Sequence, residues 1–169
     1  MGGDAAINNA DSWLQPTSLH PKIWKDGNII VGVGGKQRIA QLVHQFKAPA
    51  ITGDAYEYLR DRYIPGLYLH LCDSFVIKTC DEDGMVCMDA TILIGLMGRL
   101  FKIDSSFAIT EYPEYAAIGA NNEVALGALY ASDFLNYENS NPTGRIELAL
   151  YAVLNQCASI REPFTYLEL

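Results

Sequence analysis

Apolar residues in this chain change their period several times, and the changes outline its elements. In KIWKDGNIIVGVGG (22–35) two short apolar runs flank a DGN turn, the pattern of a β-hairpin. KQRIAQLVHQF then spaces Ile39, Leu42, Val43 and Phe46 at helical intervals. Asp54 is placed to cap a second helix, AYEYLRDRYIPGLYLHLC. Pro65 should kink or divide it, because its ring clashes with the preceding turn. TILIGL and RLFKID flank a Met97–Gly98 turn and predict a second hairpin, with SSFAITEY continuing in extended form until Pro113. AAIG (116–119) predicts a short strand, and Asn121 or Asn122 caps the helix EVALGALYASDFL. After the polar loop NYENSNPTG, Pro142 or Thr143 opens a last helix with Ile146, Leu150 and Val153 on one side, and PFTYLEL closes the chain as a strand.

The predicted order is β-hairpin, two helices, β-hairpin, strand, two helices, strand. Hairpin-connected strands separated by helix pairs imply an α+β fold, a four-layer αββα sandwich of two antiparallel sheets flanked by helices. At 169 residues the chain fits one domain spanning 1–169, and half of it is apolar, enough to build a sizeable core. The opening MGGD reads as a strand running out into a turn, as if the chain began a few residues inside its own fold.

Charge and cysteine usage narrow the class. The net charge is -8 and no basic cluster occurs, which argues against nucleic acid and anionic membrane surfaces as partners. The longest apolar run, ATILIGLMG, is too short to cross a bilayer. Cys72, Cys80, Cys87 and Cys157 show no CxxC spacing, so reduced thiols and a cytoplasmic location are expected.

Candidate chemistry is sparse. GVGGKQR (32–38) lacks the serine or threonine of a Walker loop and the third glycine of a dinucleotide fingerprint. What remains is a strand turning sharply into a helix, whose N–H groups at Gly34 and Gly35 can hold an anion or a developing oxyanion. A tight turn that needs glycine for conformational reasons is the other reading. His20, His44 and His70 have no metal spacing, DEDG lacks the alternating ligands of a calcium loop, and GxSxG is absent. No cofactor or metal is expected.

Two stretches carry further. AAIGANNEVALGALYA (116–131) and PFTYLEL (163–169) resemble the C-terminal half of proteasome β-type subunits and their bacterial, HslV-like relatives. The nearer likeness is to bacterial and phage proteasome-like proteins. MGGD resembles that family's second strand, HPKIW its Lys-Ile/Val segment, and NIIVGVGG its next strand and oxyanion turn, so the likeness covers nearly the whole chain. The resemblance implies the N-terminal-nucleophile hydrolase fold and threonine-type peptide-bond hydrolysis. It makes Asp4 the acidic orienter, Lys22 the lysine that tunes the nucleophile and its amine, and Gly34 and Gly35 the oxyanion turn. An ordinary ion pair is the alternative reading of Asp4 with Lys22.

Two departures weigh against activity. Ala120 stands where the family has a serine, and the family's nucleophilic threonine belongs to a strand upstream of Met1, so the resemblance implies a fold lacking its first strand, with Met1–Ala6 as an open sheet edge. No internal residue replaces it, because its α-nitrogen is tied up in a peptide bond; Thr17 is a loop residue. The readings are therefore a peptidase whose full-length form carries the nucleophile, with a peptide substrate and an ATPase partner, or a catalytically inactive structural subunit. Both imply a homo-oligomer, a ring or another assembly, with the helix tyrosines 56, 58, 63, 68, 130 and 151 suited to contacts. A third reading, an unrelated α+β binding module, would show parallel strands.

Overall fold

The computed structural model describes residues 1–4, 6–9, 12–16, 21–79, 84, 86–134, 141–157 and 160–169. Strand β1 (Gly2–Gly3) is followed by the hairpin of β2 (Ala6–Asn9) and β3 (Ser12–Pro16). Next come β4 (Ile23–Asp26) and β5 (Ile29–Gly35), joined through Gly27 at φ 58 in the expected DGN turn. Helix α1 (Gln37–Gln45) buries Ile39, Leu42 and Val43, the residues that set its period.

Asp54 caps α2 (Ala55–Tyr58) by accepting from the amides of Tyr56 and Glu57. The helix is divided as expected, but the division falls ahead of Pro65. Leu59–Tyr63 winds as a π turn, and α3 (Ile64–Asp73) carries Pro65 in its first turn. The wider turn relieves the carbonyls that a proline cannot pair.

Short strands β6 (Lys78–Thr79) and β7 (Val86–Cys87) precede β8 (Ala90–Leu96) and β9 (Arg99–Ile103). The last two are joined by Met97 and Gly98, both at positive φ, the turn that matches strand twist. β10 is Ile109–Tyr112, α4 Asn122–Phe134, α5 Pro142–Gln156 and β11 Thr165–Tyr166. AAIG departs from expectation: 116–119 pairs with no described strand and leads directly into the α4 turn. Pro142 opens α5 as expected, with Asn141 as its cap, accepting from the Gly144 amide at 2.7 Å. Residues 80–83, most of the predicted CDEDG turn, lie outside the described residues.

The central sheet runs β10-β9-β8-β5-β4, and every described ladder is antiparallel, against the parallel strands of an unrelated module. Its two faces follow the period of two along β5 and β8. Ile29, Val31, Val33, Ile92, Ile94 and Leu96 point to one side and pack under α1, α2 and α3, with Tyr58, Leu59, Leu67 and Leu71 completing that core. Ile30, Gly32, Leu93 and Gly95 point to the other side, toward a cavity roofed by β1, residues 167–169 after β11, α4 and α5. Helices, sheet, ribbon and helices thus stack in four layers. β1 does not stand open on both sides, since Gly2 pairs with Tyr166 and Gly3 with Thr165.

Candidate functional site

The site is assembled where strand ends meet at the mouth of that cavity. β1 lies so close to β4 that a Cβ on Gly3 would stand 2.9 Å from Ile23. The close approach places Asp4, just past β1, beside Lys22, just before β4. Lys22 Nζ donates to both carboxylate oxygens of Asp4, at 2.8 and 3.0 Å. Asp4 is largely covered, with 13% of its side chain exposed against 34% for Lys22. Such charge-assisted, partly desolvated hydrogen bonds are stronger than exposed ones.

The glycine turn lies at the end of β5 in the same cavity. Gly35 has φ 135, and a Cβ there would stand 2.5 Å from the Asp89 carbonyl oxygen. A Cβ on Gly34 would meet the Gly119 nitrogen at 2.8 Å. Packing therefore dictates both glycines. The amides around them fix a direction. Val33 donates to the Lys22 carbonyl (2.9 Å) and Lys36 donates to the Asp89 carbonyl (3.0 Å). Because backbone groups alternate sides along a strand, the Gly35 N–H points to the Lys22 side, past the end of β4.

Residues that no local motif signals complete the turn. Asp89 holds Lys36 in an ion pair at 2.6 Å. Gly119 (φ 95) and Asn121 (φ 60) bend the segment that enters α4 against Gly34. Ala120 and Asn122 line both the main cavity, about 1630 Å³, and a smaller one of about 430 Å³ on the far side of the turn. Alongside β11, the Met1 α-amine donates to the Leu167 carbonyl at 2.6 Å. Burial lowers its pKa, against the nearby Glu168 carboxylate, which raises it.

Elsewhere the candidates separate. His44 is exposed and edges Trp24 at 4.9 Å, while His70 Nε2 contacts the Leu42 carbonyl at 3.0 Å. His20 and Thr17 lie outside the described residues. Among the described residues no group of three or more His, Cys, Asp or Glu is set to hold a metal ion, and no helix is long and apolar enough to cross a membrane. The cysteines correct one expectation: Cys72 and Cys157 are free thiols, but Cys87 is disulfide-bonded. Spacing along the sequence does not reveal which thiols a folded chain brings within bonding range.

No family model matches the sequence, and no curated protein does either. Solved structures do match. BPH from Thiobacillus denitrificans superposes with a TM-score of 0.74 at 16% identity, covering 97% of this chain and 88% of that one. HslV from Trypanosoma brucei gives 0.64 at 13%, with 97% and 88% covered. Anbu from Yersinia bercovieri gives 0.64 at 15%, with 96% and 73% covered. The chain has the N-terminal-nucleophile fold in its proteasome-like form. At these identities the likeness establishes the fold.

Proposed function

We propose that this chain is a proteasome-like subunit whose cleft is built for threonine-type peptide-bond hydrolysis. The observation that carries the reading is the bidentate Asp4–Lys22 pair sharing one cavity with the Gly34–Gly35 turn. In this chemistry a threonine hydroxyl attacks the peptide carbonyl and its proton passes to the threonine's own α-amine. The Lys22 ammonium, held by Asp4, lowers that amine's pKa, and the turn's N–H groups stabilise the tetrahedral oxyanion. The amine product leaves with a proton, and water then hydrolyses the acyl ester.

The reading requires a form of the protein whose N-terminus is Thr, Ser or Cys and lies at this cleft. Intact mass and N-terminal sequencing of the protein purified from its own host test it directly. A processed form with such a residue first, losing activity on a fluorogenic peptide in Lys22→Ala, supports the hydrolase. Since BPH from Thiobacillus denitrificans was solved in complex with epoxomicin, that compound is the first ligand to try on the processed form.

A second reading, a catalytically silent subunit of a homo-oligomer, is favoured by two observations. Ala120 puts a methyl group in the cleft where the resembling family has a hydroxyl. Large apolar side chains stand exposed on both helical layers: Leu69 and Phe75 on and after α3, and Tyr130 and Phe134 on α4. Exposed apolar patches commonly mark interaction sites. A native protein that begins at Met1 and elutes as an oligomer would favour this second reading.

A further inference from the structure

Charge is distributed unevenly along the cleft, and the imbalance lies beside the glycine turn. Lys22 is held by Asp4 and Lys36 by Asp89. Arg38, exposed on the first turn of α1 and also lining the cleft, makes no hydrogen bond or ion pair among the described residues. No acidic residue occupies that first turn. The wall continues with Gln41 and His44. Of the other carboxylates along the cleft, Glu168 accepts from Thr143 at 3.1 Å, and Glu114 stands on the segment leading to Gly119. Beyond the Lys36–Asp89 pair, the α1 wall of the cleft therefore presents, among the described residues, the unpaired Arg38 guanidinium and no carboxylate.

We infer that the cleft selects extended peptides with an acidic side chain on the residue whose carbonyl sits at the Gly35 turn, and that Arg38 is the selecting residue. The inference rests on the peptide-cleft reading above. Arg38 stands on the first turn of α1, just past the Gly35 turn and the Lys36 cap, and lines the same cleft, so its side chain shares that space with a residue held at the turn. The guanidinium fork matches a carboxylate, and the same position repels an ammonium, so one residue both attracts and excludes.

The test is fluorescence anisotropy with the chain as it stands and three labelled, amidated hexapeptides that differ only in carrying Glu, Leu or Lys at one central position. The glutamyl peptide should bind about fivefold more tightly than the leucyl one, the upper end for a single exposed ion pair. The lysyl peptide should bind most weakly, and the gaps should shrink as salt is raised. Arg38→Gln should abolish the preference and Arg38→Glu reverse it, with Arg38→Lys intermediate because it keeps the charge without the fork. Equal binding of all three peptides, or an order unchanged in Arg38→Glu, overturns the inference and leaves the peptide-cleft reading standing. No binding by any peptide, with the melting curve of a folded protein, overturns both.

Discussion

Two glycines and one ion pair set the geometry of the cleft, and each has a distinct energetic signature. Gly35→Ala would force a Cβ against the Asp89 carbonyl in a left-handed conformation, and Gly34→Ala would drive one into the Gly119 backbone. Neither neighbour is the flexible end of a side chain. Each substitution should cost about 1–3 kcal/mol of unfolding free energy, read by urea titration, with Gly35→Ala the worse because backbone strain adds to the clash. An unchanged denaturation midpoint in both variants would mean that the turn is not packed as described. For the pair, Lys22→Met removes both hydrogen bonds that Lys22 makes to a largely covered carboxylate, and about 1–2 kcal/mol should be lost. In a double-mutant cycle Lys22→Met should cost less in the Asp4→Asn background, because the charge-assisted pair is already gone there; strictly additive losses would count against coupling. That Asp4 would meet Lys22 came from the family resemblance and the glycine turn from a strand running into a helix, and the structure brings the four residues to one cleft, while their roles stay with the proposal. Asp89 and Gly119 were not legible in the sequence, since each meets the turn from a segment far along the chain and no local pattern announces such a contact.

At the scale of elements, Asp54 ties a helix start to a sheet edge. It caps α2, and its second oxygen accepts from Arg99 at 2.6 Å, while Arg99 also donates to both oxygens of Glu111 at 2.7 Å. The Tyr56 amide above all holds the Asp54 carboxyl below its ordinary value, with the Glu57 amide and Arg99 adding to it against a burial effect that raises it. The Glu111 carboxyl is lowered too, first by its hydrogen bond from Arg99. A folded value below the unfolded one stabilises the fold above the unfolded pKa, and that contribution fades as pH falls through the folded value. Wild-type melting temperature should therefore drop on acidification from about pH 4 downward, and more steeply than that of Asp54→Asn, which has no carboxylate to titrate. Near neutral pH, Asp54→Ala should melt a few degrees below wild type and Asp54→Asn nearer to it, since asparagine still caps. Parallel acid limbs in wild type and Asp54→Asn would sink the argument. This cap was legible because an Asx cap ahead of a helical period is a local signal. The π turn was not, because proline marks a difficulty without saying how the helix resolves it. AAIG likewise looks like a strand by composition, yet the central sheet ends at β10 and β4 without it.

For the whole molecule, the four layers followed from the order of hairpins and helix pairs, whereas the outward faces followed only in part. Of the tyrosines expected at contacts, Tyr58 and Tyr63 are 1% and 2% exposed and belong to the core, and Tyr68 packs edge-on to Phe107. The helix that carries them is apolar on more than one side, so its period alone could not say which side faces the sheet. Tyr56, Tyr130 and Tyr151 are exposed as expected, and the most exposed apolar groups of the helical layers are Leu69 (63%) and Phe75 (95%) on the α1–α3 layer and Tyr130 (65%) and Phe134 (79%) on the α4–α5 layer. These two patches lie on opposite outer layers of the sandwich, so a contact joining one to the other is heterologous and repeats from copy to copy. If this chain assembles head to tail, Phe75→Glu and Phe134→Glu should each give a monomer by light scattering, because each blocks one end of the repeat. Mixed together, the two variants should form a one-to-one complex of roughly twice the monomer mass, since the Phe75→Glu copy keeps its α4–α5 face and the Phe134→Glu copy keeps its α3 face. A symmetric contact, in which one patch meets its own copy, predicts a different pattern: one variant stays fully assembled and the mixture forms nothing new. Only the heterologous arrangement restores a complex by mixing two defective copies.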